Sequence, residues 1–282
     1  SHDLCSDWRL GGSFGIGFPS GPLGLLAAAM MPAPIISFRN VHKAFGAQKV
    51  LDGVSVDISA GSVHFIMGRS GAGKSVLTRQ VVGLLRPDAG EVWVDGSEVS
   101  RFNEAQFMPV RRKCQMIFQH ATLFEAMSVL ENVAMPIRKR TGLSASEAEE
   151  KAVASLRKVH VQDVMKRMPT ELGAGVKKRV AIARAIALEP QIMLYDEPTT
   201  SLDPVAARRT DRLIREMSEE LGITSMVVSH DLKSLESIAD KVTFLDAGQV
   251  AYEGTAKNML ESQEPALKSF VGDPAKRWRP NP

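Results

Sequence analysis

The sequence predicts an α/β fold: a mainly parallel sheet with helices on both faces and a second, helical lobe inserted into it. Three observations predict this. Short apolar runs recur along the chain, helical stretches separate them, and one glycine-rich loop joins such a run to a helix. In order, residues 36–41 and 54–58 alternate as strands, and Ala60-Gly61 turns the chain into the apolar strand 63–67. Residues 76–85 read as a helix with Leu77, Val81, Leu84 and Leu85 on one face. A turn at 86–90, a strand at 91–94 and a turn at Asp95-Gly96 follow. The next apolar strand, 115–118, ends at Gln119. Residues 121–188 are mainly helical and form the inserted lobe, with capping-box spacing from Ser146 to Glu149. Strand character returns at 192–195 and 223–228, on either side of an Arg- and Glu-rich helix at 204–221. Strands at 242–245 and 249–252 flank the turn Asp246-Ala247-Gly248, and a helical tail begins at Glu264.

The glycine-rich loop carries the chemistry. Gly68-Arg69-Ser70-Gly71-Ala72-Gly73-Lys74-Ser75 matches G-x-x-x-x-G-K-[ST], between a strand and a helix as that pattern requires. Such a turn aims backbone N–H groups and the positive end of a helix dipole at one point, which makes an anion site. Lys74 is placed to bridge the β- and γ-phosphates of a nucleoside triphosphate, and the Ser75 hydroxyl to ligate Mg²⁺. The strand 192–195 runs into Asp196-Glu197, so two carboxylates sit at the end of a buried strand. Asp196 can join the Mg²⁺ shell, and Glu197 can polarise a water in line with the γ-phosphorus. The strand before His230 ends in the same way, so His230 can contact the γ-phosphate or orient Glu197. Gln119, also at a strand end, can sense Mg²⁺ or the attacking water.

Composition sets bounds. Hydrophobic residues are 44% and charged residues 24%, ordinary for a globular chain of 282 residues with ample core. A net charge of +3 is too slight to argue for nucleic acid. Only Cys5 and Cys114 occur, far apart, which fits a reducing cytosol with neither a disulfide framework nor a thiolate metal site. No charge lies between Arg9 and Arg39, and glycines and prolines interrupt every apolar run there. Residues 1–34 therefore read as a disordered extension or a mis-assigned start rather than a membrane anchor. Any membrane role is expected to be peripheral.

The ordered set Phe45, Gly68 to Ser75, Gln119, 171–180, Asp196-Glu197, Ser201-Leu202-Asp203-Pro204 and His230 resembles the motif series of the nucleotide-binding subunits of ABC transporters. The resemblance spans about residues 35–262, with 263–282 as a tail. It implies a P-loop NTPase of the ABC-ATPase type: a parallel core sheet, an antiparallel β-subdomain, and a helical subdomain at about 121–172. It implies that Phe45 stacks on adenine, and that two copies pair head to tail around two ATP molecules. Gly173, Ala174, Gly175 and Asp203 would then meet the partner copy's nucleotide. One departure matters. The usual Leu-Ser-Gly-Gly stands here as Leu172-Gly173-Ala174-Gly175, so the serine hydroxyl is missing. Losing one hydrogen bond to a charged group weakens closure by about 1.5–3 kcal/mol, which predicts slow but nonzero hydrolysis. A helix starting near Lys177 would still aim its dipole at the phosphate.

More narrowly, residues 123–136, 181–190, 227–239 and 267–279 resemble the ATPase of Mla/Mce-type phospholipid transporters. That resemblance implies transport maintaining outer-membrane lipid asymmetry, from the cytoplasmic face of the inner membrane. Its partners would be an integral membrane permease, a Mce-type lipid-binding subunit and a small cytoplasmic regulatory subunit. Phe124 and Met127 are expected near the permease contact. Amino-acid importers and lipoprotein exporters share several of these stretches and form the alternative. A soluble ABC ATPase of DNA repair, chromosomes or ribosomes is less favoured, since no coiled-coil insertion, zinc module or second cassette is present. A third reading is a nucleotide-gated scaffold that scarcely hydrolyses, against which Glu197 and His230 speak.

Overall fold

The computed structural model of the chain describes residues 33–272. The expected N-terminal extension (apart from residues 33 and 34), Cys5 and the tail beyond Gly272, including Trp278, lie outside the described residues.

Two sheets carry the fold. The first is antiparallel, in the order β2-β1-β4-β5, with β1 at Ile36–Phe45, β2 at Gln48–Ile58, β4 at Ala89–Val94 and β5 at Ser97–Glu98. The first two strands are longer than the alternation indicated, and they meet in a hairpin at Gly46-Ala47. Register shifts between Phe38 and Ala44 break the two-residue period there, which hid residues 42–53 from a strand reading.

The second sheet has six strands in the order β10-β9-β3-β8-β7-β6. Its members are β3 (Val63–Gly68), β6 (Cys114–Ile117), β7 (Ile192–Asp196), β8 (Thr224–Val228), β9 (Lys241–Asp246) and β10 (Gln249–Gly254). All neighbours pair parallel except the edge pair β10 and β9. Parallel strands are buried on both faces, which is why β3, β7 and β8 read as unbroken apolar runs. Val63, Phe65 and Met67 face one core and Ile66 the other.

Nine α-helices accompany the sheets among the described residues. The first, α1 (Lys74–Val81), is shorter than the expected 76–85 and starts within the glycine loop. It ends at Gly83, φ +70°, where the Gly83 N–H bonds to the Gln80 carbonyl and the Leu84 N–H to the Arg79 carbonyl. Those paired bonds close the helix, and a Cβ at Gly83 would lie 2.5 Å from the Phe107 ring. Leu84 is consequently exposed rather than on the buried face. After α2 (Glu104–Lys113) come α3 (Val129–Thr141), α4 (Ala145–Lys158) and α5 (Ala174–Ile186). The capping box of α4 is Ser144 with Glu147, not Ser146 with Glu149, because the helix starts one half-turn earlier and the first S-x-x-E match takes the N-cap. Helix α5 begins at Ala174 with Gly173 as its N-cap, three residues before the expected Lys177. The long α6 (Pro204–Leu221) is capped by Asp203, and α7 (Leu232–Ile238), α8 (Ala256–Glu261) and α9 (Pro265–Val271) complete the chain.

Candidate functional site

Parallel pairing brings the functional side chains together. Ile66 and Asp196 both pair with Val228, so the carboxyl ends of β3, β7 and β8 lie side by side. That is where an open α/β sheet places its ligands. A cleft of about 790 Å³ opens there, within the size range of small-molecule sites. Phe45, Gly68 to Ser75, Gln119, Glu197 and His230 all line it.

The glycine loop is held by the strand hairpin beside it. Gly73 has φ +93°, and a Cβ on it would sit 2.5 Å from Leu51 Cδ2 and 2.8 Å from the Val50 carbonyl oxygen. Only glycine fits, and its conformation lets Lys74 begin α1 directly. The Lys74 ammonium folds back over the loop, donating to the carbonyls of Gly68 at 2.8 Å and Arg69 at 3.0 Å. Burial pulls its pKa below the ordinary lysine value, and the carboxylates of Glu197 and Asp196 draw it back up. A cation parked on carbonyls beside two carboxylates is poised to exchange those acceptors for phosphate oxygens.

Behind the loop, Ser75 Oγ donates to Asp196 Oδ1 at 2.6 Å. Asp196 is buried at the end of β7, and Arg79 lies 4.0 Å from its other oxygen. Among the described residues no three His, Cys, Asp or Glu side chains cluster as a metal cage. The Ser75 hydroxyl, the Asp196 carboxylate and the Gln119 amide, which lines the same cleft, are oxygen donors that could hold an ion such as Mg²⁺, whose shell phosphates and water would complete.

Glu197 follows in a left-handed backbone conformation, φ +50°, with its N–H on the Val228 carbonyl at 2.8 Å. A non-glycine residue held there signals local strain of the sort found at working sites. His230 Nδ1 lies 2.8 Å from Glu197 Oε2, and Thr200 Oγ1 donates to the same oxygen at 3.1 Å. One carboxylate oxygen is thus fixed by two partners, and the pair can orient a water and take its proton.

The residues expected to meet a partner copy's nucleotide stand elsewhere. Gly173, Ala174, Gly175 and Asp203 line a separate cleft of about 290 Å³ with Val205 and Ala206. Asp203 is occupied in capping α6, accepting from the amides of Val205 and Ala206. Gly173 caps α5 without any side-chain bond. Phe45 is half exposed at the rim of the larger cleft, with the Lys43 ammonium 5.5 Å from its ring centre. Cys114 is inert, its thiol pushed up to about 12 by burial.

Three contributors were not assigned to the site from the sequence. Thr200, in the loop after the acidic pair, has the plainest signal, a hydroxyl three residues from Glu197. Phe270 of α9 lines the cleft and packs 4.9 Å from Phe244, and its neighbour Ser269 accepts from Arg69 of the glycine loop. Lys178 is buried in α5, its ammonium donating to the carbonyls of Phe118 at 2.9 Å and Gln119 at 2.7 Å. Burial brings its pKa down to about 8. Neither could be read from spacing, because each touches residues tens or hundreds of positions away.

Residues 51–200 match the family model "ABC transporter". The chain belongs to the ABC transporter family. Its fold is that of an ABC ATPase. The methionine import ATP-binding protein MetN of Brucella abortus is 37% identical over 240 residues, covering 85% of this chain. The match spans 65% of that protein's length. Among solved structures, cbiO1 from Clostridium perfringens, part of the ABC transporter complex cbiONQ, superposes with a TM-score of 0.76 at 28% identity. It is matched over 83% of this chain and 93% of its own. The ATP-binding cassette MJ0796, a dimer bound to ADP and Pi after hydrolysis, gives 0.72 at 30% identity over 78% of this chain and 98% of its own. These ABC relatives do not point to phospholipid transport, and MetN speaks for the alternative, an importer of the amino-acid kind.

Proposed function

We propose that this chain hydrolyses ATP to drive an ABC importer for a small polar solute of the amino-acid class, with a separate integral membrane permease as its partner. The observation that carries the hydrolytic reading is the Glu197 carboxylate, held by His230 and Thr200 in the same cleft as the glycine loop. In this reading Lys74 and the loop amides bind the β- and γ-phosphates, and Phe45 stacks on adenine. Ser75, Asp196 and Gln119 hold Mg²⁺, which when bound neutralises phosphate charge. Glu197 orients the attacking water and accepts its proton, and His230 keeps Glu197 in place.

Two copies pair head to tail, so that Gly173, Ala174, Gly175 and Asp203 of one face the nucleotide of the other. Their separate cleft supports this, because they do not reach their own phosphate loop. No described helix is long and apolar enough to cross a membrane, which supports peripheral attachment to a permease at the cytoplasmic face. The contact would be made through the loop bearing Phe124 and Met127.

The cargo class rests on the methionine-import relatives. A second reading, phospholipid transport with a Mce-type lipid-binding subunit and a regulatory subunit, is favoured by one observation: residues 123–136 resemble that group and present Phe124 half exposed. Purification of the chain with its membrane partners, followed by ATPase assays in proteoliposomes, separates the two. Stimulation by an amino acid and its binding protein supports the main reading. Stimulation by added phospholipid acceptor, with no response to amino acids, replaces it with the second. No ATPase activity in either case removes both.

A further inference from the structure

Helix α6 carries four arginines of two kinds. Arg208 and Arg215 are each paired with two carboxylates, Asp211 and Asp231 for the first, Glu219 and Asp240 for the second. Arg209 and Arg212 make no ion pair or side-chain hydrogen bond among the described residues. They stand three positions apart, neighbours on one helix face, where like charges repel. Both are exposed, and both border a cavity of about 310 Å³ where α6 meets α5 and the end of α4.

A third guanidinium lines the same cavity, that of Arg179 on α5. It is half-buried and held in place: its Nη1 donates to the His160 carbonyl at 3.0 Å and to the Val159 carbonyl at 3.5 Å, just past the end of α4. Burial, and after it the Arg209 charge, pull the Arg179 pKa below the ordinary arginine value. Glu216 is the one carboxylate at this cavity, and it too has no ion pair among the described residues. Three guanidiniums against one carboxylate leave two positive charges in excess. The buried side chains of Val159 and Leu213 add an apolar wall.

We infer that this cavity binds the dianion of a phosphate monoester, gripped by Arg179, Arg209 and Arg212. Planar guanidinium forks match phosphate oxygens two at a time, which a lysine cluster would not do. The excess of two positive charges equals the charge of the dianion, and Val159 and Leu213 offer a surface to the organic part of the ester. The cavity shares no lining residue with the cleft of the glycine loop, so the site does not depend on the ATP reading. Arg179 and Arg209 also line the cleft of Gly173, Ala174 and Gly175. A bound ester would therefore tie α5 to α6 beside that segment.

A ³¹P NMR titration of glycerol 3-phosphate with the full chain tests this, on the wild type, on Arg209→Gln combined with Arg212→Gln, and on Lys74→Ala. The wild type should broaden the ester resonance saturably. Removing the two arginines should weaken binding by about tenfold or more. Lys74→Ala should still bind the ester, because the glycine loop is not its site. Flotation with phosphatidylcholine vesicles carrying phosphatidic acid presents the same dianion on a membrane. Binding to the vesicles alone, abolished by the two arginine changes, assigns a lipid headgroup, and binding of glycerol 3-phosphate assigns a soluble ester. In phosphate-free buffer the double variant should melt no lower than the wild type, since it loses repulsion and no partner. The inference is overturned if the wild type binds neither ester, or if the double variant binds as the wild type does. Loss of ester binding in Lys74→Ala also overturns it and gives the ester to the glycine loop. A double variant that melts well below the wild type overturns it as well, because the two arginines would then be holding the fold together.

Discussion

The strand ends around Gly68 and the start of α5 at Gly173 differ in what they hold out to a phosphate. Around Gly68 the donors are side chains locked by their neighbours: Lys74 on loop carbonyls, Ser75 on Asp196, Glu197 between His230 and Thr200. At Gly173 there is no side-chain donor, only the first N–H groups of α5 and the dipole behind them. The comparison teaches that losing the signature hydroxyl leaves the hydrolytic groups untouched. On the proposed head-to-tail pairing it would weaken the closing of two copies rather than the chemistry, so binding and slow turnover are expected together.

The largest expected effect breaks the comparison on its complete side. Glu197→Gln should lower ATP turnover by about 10²–10⁴-fold while leaving nucleotide binding in place. Size-exclusion chromatography with ATP should then show an accumulated dimer. Turnover close to wild type would take the proton-accepting role away from Glu197.

Repairing the incomplete side comes next. Gly173→Ser combined with Ala174→Gly restores the missing hydroxyl and should raise turnover about tenfold to a hundredfold, the equivalent of one hydrogen bond to a charged group. Steady-state phosphate release at saturating Mg-ATP reads this directly. An unchanged rate would mean that the helix N-terminus alone suffices.

Stability gives a finer measure of the first region. His64, on the strand that feeds the glycine loop, is held neutral mainly by burial, helped by the nearby Lys241 charge, with its pKa brought to about 4 from 6.5. The unfolded chain binds a proton that the folded chain refuses as pH falls between those values. Stability present above pH 6.5 is therefore lost towards pH 4, by about 2 kcal/mol between roughly pH 7 and pH 5. Urea titrations at the two pH values should show the loss, and His64→Gln should flatten it. An equal slope in the variant would place the acid sensitivity elsewhere.

The smallest effect concerns the packing behind the signature segment. A Cβ at Gly175 would lie 2.8 Å from the Ala206 Cβ, so Gly175→Ala should push α5 off α6 and cost about 1–2 kcal/mol. Ala206→Gly in the same chain should return most of it. If the double variant is no more stable than the single one, the contact between these helices is not what limits this position.

Much of this was legible in the sequence because it depends on local rules. A glycine loop between strand and helix, an acidic pair ending an apolar run, and Pro204 opening a helix after Asp203 are each written in adjacent residues. Local reading failed where two local signals competed. Leu84 and Leu85 continued the helical period, but Gly83 stopped α1, and Ser144 took the cap that Ser146 also fitted. The cargo was not legible for another reason: surface stretches shared by several transporter groups do not encode what the permease moves.

The sequence by itself determined the fold class, the glycine loop and the residues at each strand end, since strand burial and loop geometry follow from near neighbours. Only the tertiary structure decided which groups meet. The alignment of β3, β7 and β8 sets Glu197 against His230, a partner thirty-three positions away. Packing of α5 against the end of β6 buries Lys178 on the Gln119 carbonyl, and packing of α9 brings Phe270 to the cleft. Such contacts depend on how elements stack, and no pattern of spacing along the chain records that.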